Sequence, residues 1–90
     1  MVTLRDIRKQ FSNYSHHEQI GSKQLFVCSQ PSDPATPAKI LVSYRTVVGV
    51  QILFGWTLTR HKYSQTTSKQ LNTFARGKCV IWQDAEINLE

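Results

Sequence analysis

Few residues of this 90-residue chain have the chemistry of a catalytic or metal site. The candidate metal ligands are three histidines and two cysteines: His16, His17, His61, Cys28 and Cys79. None stands at the C-x₂₋₄-C or H-x₃₋₅-H spacing that recurs in zinc sites. The four glycines form no phosphate-binding loop. The sequence therefore predicts no metal and no other cofactor.

Nucleophilic catalysis needs a base beside the nucleophile and a group that orients the base. No carboxylate lies between residues 34 and 83, so His61 has no acidic partner in its part of the chain. Three of the six acids lie in the last seven residues, which also disfavours paired carboxylates for hydrolysis. We expect a protein that is not an enzyme, with His61 on a strand surface and His16 and His17 in a loop.

A long acid-free run with many cations is the feature that points to function. Residues 34–83 hold seven basic side chains and no acidic one, in a chain of formal net charge +5. Such a field attracts phosphates or an acidic protein surface, although a charged surface can also be solvated and bind nothing. The predicted binding residues are Arg45, Arg60, Lys62, Tyr63, Lys69, Arg76, Lys78 and Trp56.

Two helices are predicted to support these residues. Thr3 and Asp6 have the spacing of a capping box. An apolar stripe follows them at helical steps, formed by Leu4, Ile7, Phe11 and Tyr14. The second helix has hydroxyl caps at Ser64, Thr66 or Thr67 and stops at Gly77. Its residues facing the sheet would be Leu71, Phe74 and Ala75.

The hydroxyl groups at the start of the second helix allow two interpretations. They satisfy the free backbone N–H groups of the first turn. Alternatively, these N–H groups and hydroxyls bind an anion such as phosphate, with Arg60, Lys62 and Lys69 nearby. The two interpretations do not exclude each other.

Strands are expected over residues 24–30, 39–53, 57–63 and 78–82, with a proline-rich loop at 31–38 and an acidic tail at 84–90. Alternation in the longest strand gives one buried and one half-wet face, and Gly49 marks a bulge or bend. Trp56, at the expected turn over 54–56, either folds back over the sheet edge or anchors a partner. Cys28 and Cys79 are expected to be buried free thiols.

These elements predict a single α+β domain over residues 1–90. Its small antiparallel sheet would be built on a long central hairpin, with the N-terminal helix and the helix after the hairpin packed on it. No targeting signal and no apolar stretch of about 20 residues is present, so we expect a cytoplasmic protein. A second subunit could add stability to a domain of this size, and dimerisation stays open.

A pattern over residues 43–74 resembles small uncharacterised proteins of tailed phages and related mobile elements. Those proteins share an S-Y-x-T strand followed by small apolar residues, and a Y-S-x-T-T-S-K segment that leads into a helix. The matching positions here are Ser43, Tyr44, Thr46, Val48, Tyr63, Ser64, Thr66, Thr67, Ser68 and Lys69. Such proteins often have histidine where this chain has Gln70. The resemblance implies a viral or mobile-element origin and a small α+β fold, and it brings no activity with it.

Two functions remain as hypotheses. In the first, a phage-type protein binds a host protein or nucleoprotein complex that handles nucleic acid and modulates or inhibits it, anti-CRISPR action being a specific example. In the second, an accessory protein binds RNA or DNA phosphates directly and without sequence preference. Mimicry of nucleic acid is disfavoured, because a mimic must be acidic and this chain is basic.

Overall fold

The computed structural model describes residues 1–21 and 23–89. In chain order the elements are α1 (Leu4–Gln10), β1 (Tyr14–Gln19), β2 (Leu25–Pro31), β3 (Lys39–Ser43), β4 (Thr46–Ile52), β5 (Gly55–Thr59), α2 (Gln65–Ala75) and β6 (Val80–Gln83). The strands form one sheet in the order β1-β2-β3-β4-β5-β6. Strands β1 to β5 pair antiparallel, and β6 returns parallel to β5 after the crossover through α2. The α+β class is confirmed, and the sheet is mixed rather than antiparallel.

The two helices cover opposite faces of this sheet. Apolar residues of α1 pack with one set of inward-facing strand residues, and the cluster comprises Ile7, Phe11, Tyr14, Phe26, Cys28, Ile40 and Val42. Leu71 of α2 packs with the other set, and that cluster comprises Leu25, Leu41, Val48, Trp56, Leu58 and Leu71. On the face expected to be half exposed, Leu41 and Ser43 are buried, whereas Lys39 and Arg45 are exposed.

The expected single strand over residues 39–53 is divided into β3 and β4 by a turn at Tyr44 and Arg45. Tyr44 has a φ of +58° there, and its N–H donates to Gln24 O at 2.7 Å. The irregularity predicted at Gly49 is confirmed, since Leu41 pairs with Gly49 whereas Val42 pairs with Val47. A single long central hairpin is not confirmed, because the chain builds a meander of shorter strands.

The N-terminal segment forms the predicted helix, but this helix ends earlier than the apolar stripe indicated. Thr3 and Asp6 form the predicted capping box, in which Asp6 Oδ2 accepts from Thr3 N at 2.9 Å. The helix ends at Gln10, and Tyr14 begins β1 instead of extending the helical stripe. The loop expected for His16 and His17 is wrong, because both lie in this edge strand. Its sequence is mostly polar, so it carries no apolar alternation from which a strand could be predicted.

Residues 85, 86 and 89 of the expected tail contact the rest of the domain. Thr59 Oγ1 donates to Ala85 O at 2.6 Å, and Leu89 packs against the core cluster on the α1 side. His61 Nε2 lies 3.3 Å from Glu86 Oε1, an ion pair when the imidazole is protonated. Glu90, the last residue of the expected tail, lies outside the described residues, as does Ser22.

The two cysteines differ in a way that the sequence did not indicate. Cys28 is fully buried, and burial raises the pKa of its thiol to about 11. Cys79 is exposed, so its predicted burial is wrong. Its carbonyl accepts from Trp56 N at 2.9 Å, so its backbone is paired with β5 while its side chain lies outside the core. Among the described residues, no helix is long and apolar enough to cross a bilayer.

Candidate functional site

Six cationic side chains surround helix α2, and we call this region the α2 surface. Arg60 and Lys62 lie in the connection from β5, and Lys69 lies within the helix. Arg76 caps its carboxyl end, and Gly77 follows with a φ of +74°. The full set is Lys23, Arg60, Lys62, Lys69, Arg76 and Lys78, all of them exposed. The crossover between two parallel strands therefore carries five of the seven cations of the acid-free run onto one side of the sheet.

Shared hollows show that lysines from different parts of the chain are neighbours on this surface. Lys62 and Lys69 line one hollow together with Ser64. Lys69 and Lys23 line a second, and Lys23 and Lys78 line a third. Lys23 follows β1, far from the basic run in sequence, and it was missed because residues 1–33 are nearly balanced in charge. Only the pairing of β2 beside β3 brings it under α2.

Among the described residues the α2 surface has few compensating carboxylates, and Glu86 reaches its edge at His61. Helix α2 contains no acidic residue. Within residues 1–21 and 23–89 the ion pairs are Arg45 with Asp6 and His61 with Glu86, and neither uses a cation of the α2 surface. Glu18 lies on the same face, in edge strand β1 opposite Val27, but it lines none of these hollows. The surface therefore keeps a positive potential available to an anionic partner.

Two of the predicted binding residues are not part of this surface. Arg45 lies at the β3–β4 turn, where its guanidinium is 3.8 Å from Asp6 Oδ2 of α1. Hydrogen bonds to Thr3, and to a lesser degree the charge of Arg45, lower the pKa of Asp6. Trp56 lies inside β5, is only 8% exposed, and meets Phe74 edge to face with ring centroids 5.0 Å apart. Its expected position at a hairpin tip is wrong, since the tip is formed by Leu53 and Phe54.

Arg60 is held at the edge of the α2 surface by an aromatic contact. Its guanidinium carbon lies 5.3 Å from the centroid of the Trp82 ring. The two side chains line a hollow of about 260 Å³ with Ser68, Leu71 and Asn72. A cation over an indole face keeps its outer N–H groups available, so this contact orients Arg60 without neutralising it.

Positions of the phage-type pattern converge at the start of α2. A cleft of about 340 Å³ lies between the β3–β4 turn and the first turn of the helix. It is lined by Ser43, Tyr44, Thr46, Val48, Tyr63, Ser64, Thr66 and Thr67, which are eight of the ten matching positions. We call it the tyrosine cleft, because Tyr44 and Tyr63 are the exposed aromatic side chains in it, at 40% and 36%. Burial and then the charge of Glu86 raise the pKa of Tyr63, so its phenol is neutral at physiological pH.

Several of these hydroxyls have a structural role. Ser64 is the N-cap, with its Oγ accepting from Thr67 N at 3.1 Å, which confirms the capping interpretation for Ser64. Ser43 Oγ donates to Gln70 Oε1 at 2.6 Å and lies 3.1 Å from Thr67 Oγ1. These three buried groups tie β3 to α2. Anion binding at the same helix start stays a prediction.

A catalytic or metal role gains no support from the geometry. Within the part of the chain that the structure describes, no group of three or more His, Cys, Asp or Glu side chains is placed to hold a metal ion. The six cations come from the β1–β2 connection, the β5–α2 connection, helix α2 and the residues that follow this helix. The arrangement is suited to binding an extended anionic surface.

The fold and this surface define a small α+β protein in which a six-stranded mixed sheet is flanked by two helices and one helix is ringed by cations. The chain belongs to the family of unknown function DUF8033, whose pattern it matches over residues 3–87. The match includes the N-terminal helix and the proline-rich loop as well as α2. No curated protein and no solved structure matches the chain.

Proposed function

We propose that this protein is a small non-enzymatic binding protein that docks its α2 surface on a nucleic-acid-handling complex of a host cell and thereby modulates or inhibits it. The observation that supports the proposal is the group of six cations on the α2 surface. None of them has an ion-pair partner among the described residues. Inhibition of a CRISPR effector is the specific example suggested by the resemblance to phage proteins. The proposed place of action is the host cytoplasm.

The sign of the charge limits how such a protein acts. A formal net charge of +5 opposes entry into the cationic groove that holds nucleic acid in an effector complex. The α2 surface instead suits acidic protein surface or phosphates that the complex already holds. Complementary charge of this kind raises the association rate and makes it sensitive to salt.

The first experiment separates binding from catalysis. Purified CRISPR effectors, restriction endonucleases and polymerases are assayed with increasing amounts of the protein. A binding protein gives inhibition that follows the molar ratio and does not grow with time of preincubation after equilibrium. Progressive loss of target activity at amounts far below one molecule per target would overturn the non-enzymatic proposal.

The second experiment tests the surface itself. Lys62→Glu with Lys69→Glu changes the charge of the α2 surface, and Arg5→Glu with Arg8→Glu makes the same change in α1 on the opposite face. We expect the first pair to weaken target binding by about tenfold or more, and the second pair to change it by less than about threefold. Equal losses from both pairs would show that net charge alone matters and would remove the α2 surface from the proposal.

Direct binding of nucleic acid is a second candidate because of the tyrosine cleft. Lys69 shares a hollow with Tyr44 and Thr66, so two exposed phenol rings lie near cations that could contact phosphates. Five or six phosphate contacts would give a log–log salt slope of roughly −4 to −5. Binding of random single-stranded and duplex DNA is measured at two salt concentrations. No detectable binding at about 50 mM salt eliminates this candidate.

A further inference from the structure

A groove between β2 and α2 combines an apolar floor with a cationic rim, and we call it the β2–α2 groove. Its volume is about 470 Å³, within the range of sites that hold small ligands or single side chains. Its apolar residues are Ile20, Leu25 and Phe74, and its polar and glycine residues are Gly21, Lys23, Gln70, Thr73 and Lys78. It lies on the α2 surface but is separate from the tyrosine cleft.

The floor is apolar surface that the fold leaves accessible. Leu25 is buried in the core cluster on the α2 side, whereas Ile20 and Phe74 are only partly buried against it. Trp56 and Phe74 meet with their rings perpendicular, and Lys78 Nζ lies 4.3 Å from the centroid of the Phe74 ring. A nucleobase therefore cannot stack on the Phe74 face that the ammonium occupies.

The rim has donors for carboxylates. Lys78 Nζ donates to Phe74 O at 2.9 Å, which fixes the ammonium at the end of α2 and leaves two of its three protons for a ligand. Lys23 stands on the opposite wall, and no acidic residue lines the groove. Gln70 is 3% exposed and accepts from Ser43 Oγ with its Oε1. Two ammonium groups thus stand beside an apolar floor.

We propose that the β2–α2 groove binds a short acidic peptide segment of a partner protein. One apolar side chain of the segment occupies the floor formed by Ile20, Leu25 and Phe74, and flanking carboxylates pair with Lys23 and Lys78. This inference rests on the proposed docking function of the α2 surface and names the chemistry of the partner. An apolar anchor with charged flanks is favoured over a polyphosphate because phosphates would leave the floor uncovered.

Fluorescence polarisation with defined peptides tests the proposal. The probe is a fluorescein-labelled peptide with a central phenylalanine and three glutamates on each side. One control peptide has serine at the centre, and a second has glutamine in place of every glutamate. We expect each control to bind about tenfold or more weakly than the probe, because one removes the buried apolar side chain and the other removes the charges.

A matched pair of variants, which leaves the net charge of the protein unchanged, tests whether the peptide binds in the groove. Thr73→Trp fills the groove from α2, and Asn72→Trp puts the same side chain on the neighbouring hollow beside Arg60. Thr73→Trp should weaken binding of the probe peptide by about tenfold or more, whereas Asn72→Trp should change this binding by less than about twofold. Lys23→Gln provides a second, charge-based variant, and the circular dichroism of all three confirms that they fold.

The outcomes distinguish this inference from the function on which it rests. Equal binding of the phenylalanine and serine peptides would overturn the groove proposal, while the Lys62 and Lys69 reversals could still show docking through the α2 surface. An equal loss of probe binding in the Asn72→Trp and Thr73→Trp variants would also overturn the groove proposal. Loss of target binding in the Thr73→Trp variant, with retained binding in Asn72→Trp, would support it in the full complex.

Discussion

Gln70 and Thr67 are polar residues of α2 that point into the protein rather than into solvent. Both are 3% exposed, and both contact the Ser43 hydroxyl of β3. A buried polar group is costly unless its hydrogen bonds are made, and here each finds its partner on the facing element. Part of the phage-type pattern is therefore explained by the junction between a strand and a helix, without any ligand.

Removing the Ser43 hydroxyl should destabilise the protein, because Gln70 and Thr67 depend on it for hydrogen bonds. Ser43→Ala leaves Gln70 Oε1 and Thr67 Oγ1 buried without their shared partner, and we expect the free energy of unfolding to fall by about 1–3 kcal/mol. In the double variant Ser43→Ala with Gln70→Met, the loss should be less than the sum of the two single losses. Urea denaturation measures all four proteins, with exposed Ser12→Ala as the control. Strict additivity would contradict a coupled buried cluster.

The two thiols should differ in reactivity by orders of magnitude. Cys28 is fully buried with its pKa raised to about 11, whereas Cys79 is exposed just before β6. A thiol reagent such as Ellman's reagent at neutral pH should modify one cysteine per native molecule, because the thiolate is the reactive species. Cys79→Ser should abolish this fast reaction until urea unfolds the protein. A fast reaction that persists in Cys79→Ser would show that the core around Cys28 opens readily.

At the scale of elements, the sequence predicted the features that depend on residues close together in the chain. The Thr3–Asp6 capping box, the Ser64 cap and the Gly77 stop each act within one turn of helix, so the sequence placed the start of both helices and the end of α2. It did not place the end of α1, which stops at Gln10. The turn at Tyr44 carries no such signal, because a tyrosine at positive φ is held there by a hydrogen bond to Gln24 of another segment. The parallel β5–β6 pairing is non-local in the same way. It is set by the crossover through α2.

That parallel pairing rests on one close backbone approach. A Cβ added at Gly55 would lie 2.0 Å from Cys79 O, and this carbonyl also accepts from Trp56 N at 2.9 Å. Gly77 has a φ of +74° but open space around it. We expect Gly55→Ala to lower the free energy of unfolding by more than about 3 kcal/mol, and Gly77→Ala by about 1 kcal/mol. Thermal and urea unfolding compare the two, and similar losses would contradict the tight contact between β5 and β6.

At the scale of the whole molecule, cations lie on both faces of the sheet, with six of them around α2 and Arg5, Arg8 and Lys9 on α1. The cations of the acid-free run lie mostly around α2, as the linear charge pattern indicated, but Lys23 joins them only through the sheet and Arg45 leaves them for Asp6. The six-residue site was therefore predictable to the extent that one helix carries it. The terminal segment brings Glu86 to His61, in the connection between Arg60 and Lys62, and then packs Leu89 on the α1 side.

The attachment of this terminal segment can be tested with two leucines of opposite exposure. Leu89 is partly buried against the core cluster on the α1 side, whereas Leu53 at the β4–β5 tip is 90% exposed. Leu89→Ala should lower the free energy of unfolding by about 1–2 kcal/mol, and Leu53→Ala should change it by less than about 0.5 kcal/mol. Urea denaturation at low protein concentration measures both. If Leu89→Ala were as neutral as Leu53→Ala, the segment would not be held by the core, and its carboxylates would be free to reach the α2 surface and compete with an acidic partner. A stable attachment instead keeps Glu86 at His61, on the edge of the α2 surface, and holds Leu89 on the α1 side, so that the six cations stay available to a partner.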